Sequence, residues 1–192
     1  NEINIRDIDF SNEDLHFIKS LNLISIKPML YICNVDEKSI VKGNDFTNDV
    51  AKHAESEKNN SVIVSAAIES QIAEFKKEEE KNELLKDLGL KETTLIKVIN
   101  SGYNILNLIT YFTSGPKETR AWTVKKNTFA PEGAGKIHSD FQKGFIRAET
   151  IAYEDYVSLE GESASREAGK LRQEGKDYVI KDGDVMHFLF NV

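Results

Sequence analysis

A single cysteine, Cys33, stands among the 192 residues. One thiol excludes an internal disulfide and any cysteine-rich zinc site. No apolar run approaches the roughly 20 residues that a membrane-spanning helix needs. No cationic, apolar leader opens the chain, and the composition predicts an intracellular, cytoplasmic protein with no membrane partner. The first residue is Asn1 rather than Met, so the chain reads as beginning inside a longer gene product. Internal repeats and low-complexity stretches are missing too. Apolar residues at 40% and charged residues at 30% give the balance of an ordinary globular protein. Collagen, a bare linker and a wholly disordered chain are thereby excluded.

The motifs of familiar catalysis are equally scarce. A phosphate-binding loop needs Gly-x-x-x-x-Gly-Lys-Ser/Thr, because its backbone N–H groups cradle phosphate and its hydroxyl holds magnesium. Gly135-Lys136 is the nearest approach, but Ala130 stands where the first glycine belongs and Ile137 where the hydroxyl belongs. Gly133 and Gly135 read instead as loosening the first turn of a helix. His16, His53, His138 and His187 are scattered, without metal-ligand spacing. Cys33 sits in an apolar segment and reads as packing. No Gly-x-Ser-x-Gly elbow exists, and Trp122 reads as core. No catalytic or metal-binding residue is assigned.

Charge is unevenly spread. The net charge is −7. Residues 1–106 carry 13 basic and 19 acidic side chains, and residues 107–192 carry 12 and 13. Within the latter, Lys117, Arg120, Lys125, Lys126, Lys136, Lys143 and Arg147 face only Glu118, Glu132 and Asp140. A positive stretch inside an acidic protein attracts an anionic partner such as RNA, or is simply a solvated surface.

The pattern predicts a short helix over 11–20, capped by Ser11 with Leu15 and Ile18 on one face. An apolar run at 26–33 predicts a fully buried parallel strand. A helix from Phe46 to about Ser56 and a second buried strand at 61–64 complete a βαβ rhythm. A charged helical stretch follows over 68–88, stopped by Gly89. Next comes a helix over 94–106 with Leu95, Val98, Ile99 and Leu106 as its apolar stripe. Beyond it, strands at 108–114 and 118–124 flank the turn Ser114-Gly115-Pro116-Lys117. A helix around 131–142, a strand at 145–152 and a closing hairpin of 178–180 with 185–190 predict a small mixed sheet crossed by one helix.

Ligands of open parallel sheets sit beyond the carboxyl ends of the strands. Asn34-Val35-Asp36-Glu37 ends the first strand, and Ser65-Ala66-Ala67 ends its expected neighbour. Both have the spacing of the base-reading Asn-Lys-x-Asp and Ser-Ala-x motifs of P-loop GTPases.

Several longer segments resemble the YchF (EngD) subfamily of Obg-like P-loop ATPases. They include Leu-Asn-Leu-Ile-Ser-Ile-Lys-Pro-Met-Leu-Tyr-Ile-Cys-Asn-Val-Asp-Glu at 21–37 and Tyr-Phe-Thr-Ser-Gly-Pro-Lys-Glu-Thr-Arg-Ala-Trp-Thr-Val at 111–124. Ala-Gly-Lys-Ile-His-Ser-Asp-Phe at 134–141, Gly-Phe-Ile-Arg-Ala-Glu at 144–149, Gly-Lys-Leu-Arg at 169–172 and Gly-Asp-Val-Met-His-Phe at 183–188 extend the match. The resemblance implies an α/β remnant of a doubly wound P-loop NTPase G domain, followed by an α+β ubiquitin-like β-grasp (TGS) domain. Residues 1–20 would end a helical insertion, 21–106 would be the C-terminal part of the G domain, and 107–192 the TGS domain. It implies ATP with magnesium as the parent's substrate and cofactor, GTP binding less well, and ribosome or RNA as partner. The phosphate loop and magnesium ligands would lie outside this chain, which alone would bind ATP very weakly and not hydrolyse it. The base-binding residues implied are Asn34, Val35, Glu37, Ser65, Ala66 and Ala67. Glu37, a methylene longer than the usual Asp, suits guanine poorly, whereas an Asn amide pairs with adenine. The alternative is a stand-alone TGS-type module that binds RNA or the ribosome without catalysis. A remnant sheet would also expose an edge and an apolar face.

Overall fold

The computed structural model describes residues 5–191. The first four residues of the expected insertion end, 1–4, lie outside the described residues. The chain divides into two compact units, Asn1–Leu106 and Asn107–Val192.

The first unit opens with α1 (Asn12–Ser20), where the Ser11 hydroxyl accepts from the Asp14 N–H at 3.2 Å. β1 (Leu30–Asn34), α2 (Asp45–Ser56) and β2 (Asn60–Val64) follow. Asn44 and Thr47 close a capping box that starts α2. β1 and β2 pair in parallel, from Leu30 opposite Asn60 to Asn34 opposite Val64. Then come α3 (Ala66–Glu74), α4 (Glu78–Asp87) and α5 (Thr94–Ile105). Ile40, Ile68, Ile72, Leu85 and Leu90 form the buried cluster, with Val35, Leu84 and Leu88 packed against it.

Three expectations for this unit are corrected. The first strand is shorter than 26–33 and is not buried on both faces. Ile24–Ile26 form a 3-10 turn ahead of Pro28, pairing starts at Leu30, and the Ile32 side chain stands on an uncovered sheet face, 54% exposed. The charged stretch 68–88 is two helices, since Phe75 and Lys77 adopt extended backbone. Glu78, Glu79 and Glu80 then start α4, where negative charge complements the helix dipole. The stripe on α5 is rotated: Leu95, Ile99 and Leu106 are exposed, while Thr94 is buried and Val98, Ser101 and Ile105 are half-buried. At its start the Glu69 carboxylate accepts from both the N–H and the hydroxyl of Thr94 at 2.6 Å, tying this buried end of α5 to α3.

The second unit runs β3 (Leu108–Ser114), β4 (Thr119–Lys125), α6 (Ala130–Ile137), α7 (Ser139–Lys143), β5 (Phe145–Ile151), α8 (Tyr153–Ser158), α9 (Glu162–Glu167), β6 (Arg172–Glu174) and β7 (Val185–Phe190). The five strands lie in the order β4-β3-β7-β5-β6. β3 pairs antiparallel with β4 and parallel with β7, and β5 pairs antiparallel with both β6 and β7. α6 covers one face over Tyr111, Val124, Ala148, Met186 and Phe188. A Cβ on Gly133 would collide with Ile180, so that glycine permits close packing of α6 rather than loosening it. The Tyr111 hydroxyl donates to the Gly133 carbonyl at 2.8 Å.

The closing hairpin is not formed. Val179 makes an isolated bridge to Phe129, and β7 crosses to the sheet centre between β3 and β5. Backbone bonds from Gly183 N–H to Thr110 O and from Phe112 N–H to Asp184 O, both 2.8 Å, steer it there. The helix expected over 131–142 breaks at His138. That residue is extended (φ −158°, ψ 145°), and its Nδ1 caps α7 by accepting from the Asp140 N–H at 3.2 Å. α8, α9 and β6 were not anticipated.

Candidate functional site

β1 and β2 end side by side, because their register places Asn34 opposite Val64. The Val35 N–H donates to the Val64 carbonyl at 2.9 Å, extending the ladder one residue past β1. Asn34 is exposed, and its Oδ1 accepts from the Ala66 N–H at 3.0 Å. Thus the first backbone donor of α3 is bound to the side chain that ends the neighbouring strand. The amide nitrogen of Asn34 and the second lone pair of Oδ1 remain for a ligand. Val35 is half-buried and packs against the Ile40–Ile68 cluster. Asp36 caps the turn Glu37–Ser39 by accepting from the Ser39 N–H at 3.0 Å, and those Ser39 hydrogen bonds hold its carboxyl below the usual carboxylate range. Glu37 opens that turn, exposed.

Ser65 has no solvent exposure, and its hydroxyl has no hydrogen-bond partner among the described residues. Ala66 and Ala67 are exposed in the first turn of α3. The geometry therefore joins Asn34 to Ala66 at the strand ends, with Ser65 buried beneath them. Val35 serves partly in the core.

The seven basic residues of 117–147 do not gather on one face. Arg120 lies on the α6 side of β4, its Cζ 4.2 Å from the centroid of the Trp122 ring. Lys125 and Arg147 each neighbour a core residue, Val124 and Ala148, and strand alternation points them to the opposite face. Lys117 stands in the β3–β4 turn, Lys126 just beyond β4, Lys136 on α6 and Lys143 at the end of α7. Among the described residues no group of three or more His, Cys, Asp or Glu side chains could hold a metal. No helix among them is long and apolar enough to cross a membrane.

Sequence reasoning missed a buried polar network in the second unit. Asp184, 3% exposed, accepts from the Tyr178 hydroxyl at 2.8 Å and the Lys181 N–H at 2.9 Å, with Arg172 at 3.5 Å. Burial, then the Asp184 carboxylate, pushes the Tyr178 hydroxyl up to about 12. Asp184 follows Gly183 in a turn, which was the only local signal. Also missed was the packing of Arg120 on Trp122, a contact between alternate residues of one strand.

Comparison with known proteins supplies the context. Residues 108–191 match the family model YchF-GTPase_C, described as a protein of unknown function (DUF933). The Ribosome-binding ATPase YchF of Haemophilus ducreyi is 52% identical over 188 residues, covering 98% of this chain and 51% of that protein. Its namesake from Bacillus subtilis is 48% identical over 189 residues, covering 97% and 51%. The solved YchF GTPase of Schizosaccharomyces pombe superposes with a TM-score of 0.81 at 39% identity, over 97% of this chain and 50% of that one. A GTP-binding protein from Pyrococcus horikoshii, at 21% identity and a TM-score of 0.60 over 95% and 51%, shares the fold. The chain spans about half the length of the curated relatives it matches. Matching sequence along nearly the whole chain and a matching solved structure agree on one conclusion: this chain belongs to the YchF family.

Proposed function

We propose that the rim formed by Asn34, Val35 and Glu37 with Ser65, Ala66 and Ala67 reads the adenine of ATP. The units would then be the C-terminal part of a G domain over 21–106, preceded by the end of a helical insertion over 1–20, and a β-grasp TGS domain over 107–192. The observation that carries this reading is the Asn34 Oδ1 bond to the Ala66 N–H, 3.0 Å long. Guanine presents the acceptor O6 where adenine presents the N6 amino donor, so the remaining Oδ1 lone pair would face another acceptor. Adenine presents the N6 amino group and N7. The remaining Oδ1 lone pair can accept from N6, and Nδ2 can donate to N7. GTP would therefore bind less well.

Hydrolysis of ATP, the activity in the relatives' names, is proposed for the parent protein rather than for this chain. Phosphoryl transfer works by positioning and by charge stabilisation around magnesium. Among the described residues no group of three or more His, Cys, Asp or Glu side chains could hold that ion. An adenine rim without a phosphate cradle lacks the charge-assisted bonds that are commonly strongest, so this chain alone binds ATP weakly. An NMR titration with AMP, ATP and GTP at millimolar concentration tests the reading. The expected result is movement of the Asn34 side-chain amide and the Ala66 backbone amide with the adenine nucleotides, and less with GTP. Glu37→Asp should narrow that difference. Silence at both amides at saturating AMP would remove the base pocket.

The relatives' names also carry ribosome binding, and Lys117 and Arg120, which stand together at the β3–β4 turn and the start of β4, support contact with RNA there, in the cytoplasm. Such contact would weaken steeply with salt as phosphates release their counterions.

A further inference from the structure

We infer that Arg120 and Trp122 form a stacking platform for an unpaired RNA base, so that the second unit takes single-stranded rather than duplex RNA. This rests on the reading that the unit contacts RNA. β4 is the outermost strand of its sheet. Trp122 has one side packed on the core, and its Nε1–H donates to the Thr113 hydroxyl at 2.9 Å, which fixes the indole. Arg120 lies over the ring with Cζ 4.2 Å from the centroid, and its side chain is 55% exposed. Its ion pair to Glu118, the one it makes among the described residues, is long at 3.9 Å. A planar, weakly hydrated cation is thus held against an aromatic support, with its outer side open and most of its N–H donors unspent.

Bases stack on arginine planes as they do on aromatic rings, but only when they are out of a helix. In an A-form duplex the base faces are already stacked, and the deep major groove excludes side chains. A lone phosphate contact would need no ring beneath the guanidinium. Lys117 stands three residues before Arg120, in the turn at the same end of β4, where it suits the flanking phosphate.

Trp122 is the single tryptophan of the chain, so its emission reports on the platform alone. The test titrates the full chain with a dye-labelled single-stranded RNA of about 12 nucleotides, within the range of common single-strand site sizes. Anisotropy follows binding while Trp122 fluorescence is read in parallel. The expected result is quenching that tracks the anisotropy, with a hairpin duplex competing poorly. Arg120→Ala and the charge-preserving Arg120→Lys should each weaken binding about tenfold, the order expected for losing one stacked base. Lys117→Ala should lower the salt slope by about one while leaving the quenching intact. Binding with unchanged Trp122 emission and near-normal affinity in Arg120→Lys would overturn the platform and leave the RNA reading standing. No anisotropy change at low salt would overturn the RNA reading itself, and the platform with it.

Discussion

Ser65 combines complete burial with a hydroxyl unpartnered among the described residues. Leaving a buried hydroxyl without a partner costs about 1–3 kcal/mol. Ser65→Ala should therefore be neutral or stabilise the first unit by about 1 kcal/mol in urea unfolding. Asn34 behaves oppositely. Asn34→Ala removes the 3.0 Å bond to the Ala66 N–H and should cost about 1 kcal/mol of stability. It should also abolish the adenine-dependent shifts. The pairing of these two strand ends was legible in the sequence, because spacing after an apolar run marks where a parallel strand stops. The empty hydroxyl of Ser65 was not, since a partner's absence depends on every neighbouring atom.

Elements that carry a polar clasp show a different dependence. The segment between β6 and β7 is held by Asp184, Tyr178 and Arg172. Asp184→Ala leaves a tyrosine hydroxyl, a backbone N–H and a guanidinium short of an acceptor. It should destabilise the second unit by about 2–3 kcal/mol. The Tyr178 hydroxyl ionises near 10 when unfolded but at about 12 when folded. The folded state thus keeps its proton through that window while the unfolded state loses it. The contribution of Tyr178 to stability is therefore full below pH 10 and is lost as pH rises towards 12. Burial raises the Tyr111 hydroxyl as well, so Tyr178→Phe should flatten this alkaline loss without removing it, as followed by thermal melts across that range. Periodicity revealed β3, β4 and β5 because alternating apolar residues cover α6. It misassigned β7, whose parallel pairing to β3 is set by backbone bonds from Gly183 and Asp184 that leave no side-chain pattern. It also missed α8 and α9, which are six residues each and too short to establish a period.

At the scale of the whole molecule, two cores are present and each is built from its own unit's residues. Trp122 belongs to the second, whereas far-ultraviolet circular dichroism senses both. Urea unfolding should give non-coincident transitions by the two probes, the fluorescence change coming later. Coincidence would mean one cooperative unit. The boundary at Leu106 was visible as a change from helix-strand alternation to short strands with turn chemistry. The outward turn of Leu95 and Ile99 was not, because the buried position on α5 is the polar Thr94, bonded to Glu69 from a distant helix.

Among the described residues β1 pairs with β2 alone, which leaves each of these strands one lateral row of amides with no ladder partner. Hydrogen–deuterium exchange should therefore burn through alternate positions of Leu30–Asn34 and Asn60–Val64 within the earliest time points. The amides of Val185–Phe190, flanked by strands on both sides, should be the last in the chain to pick up solvent deuterium.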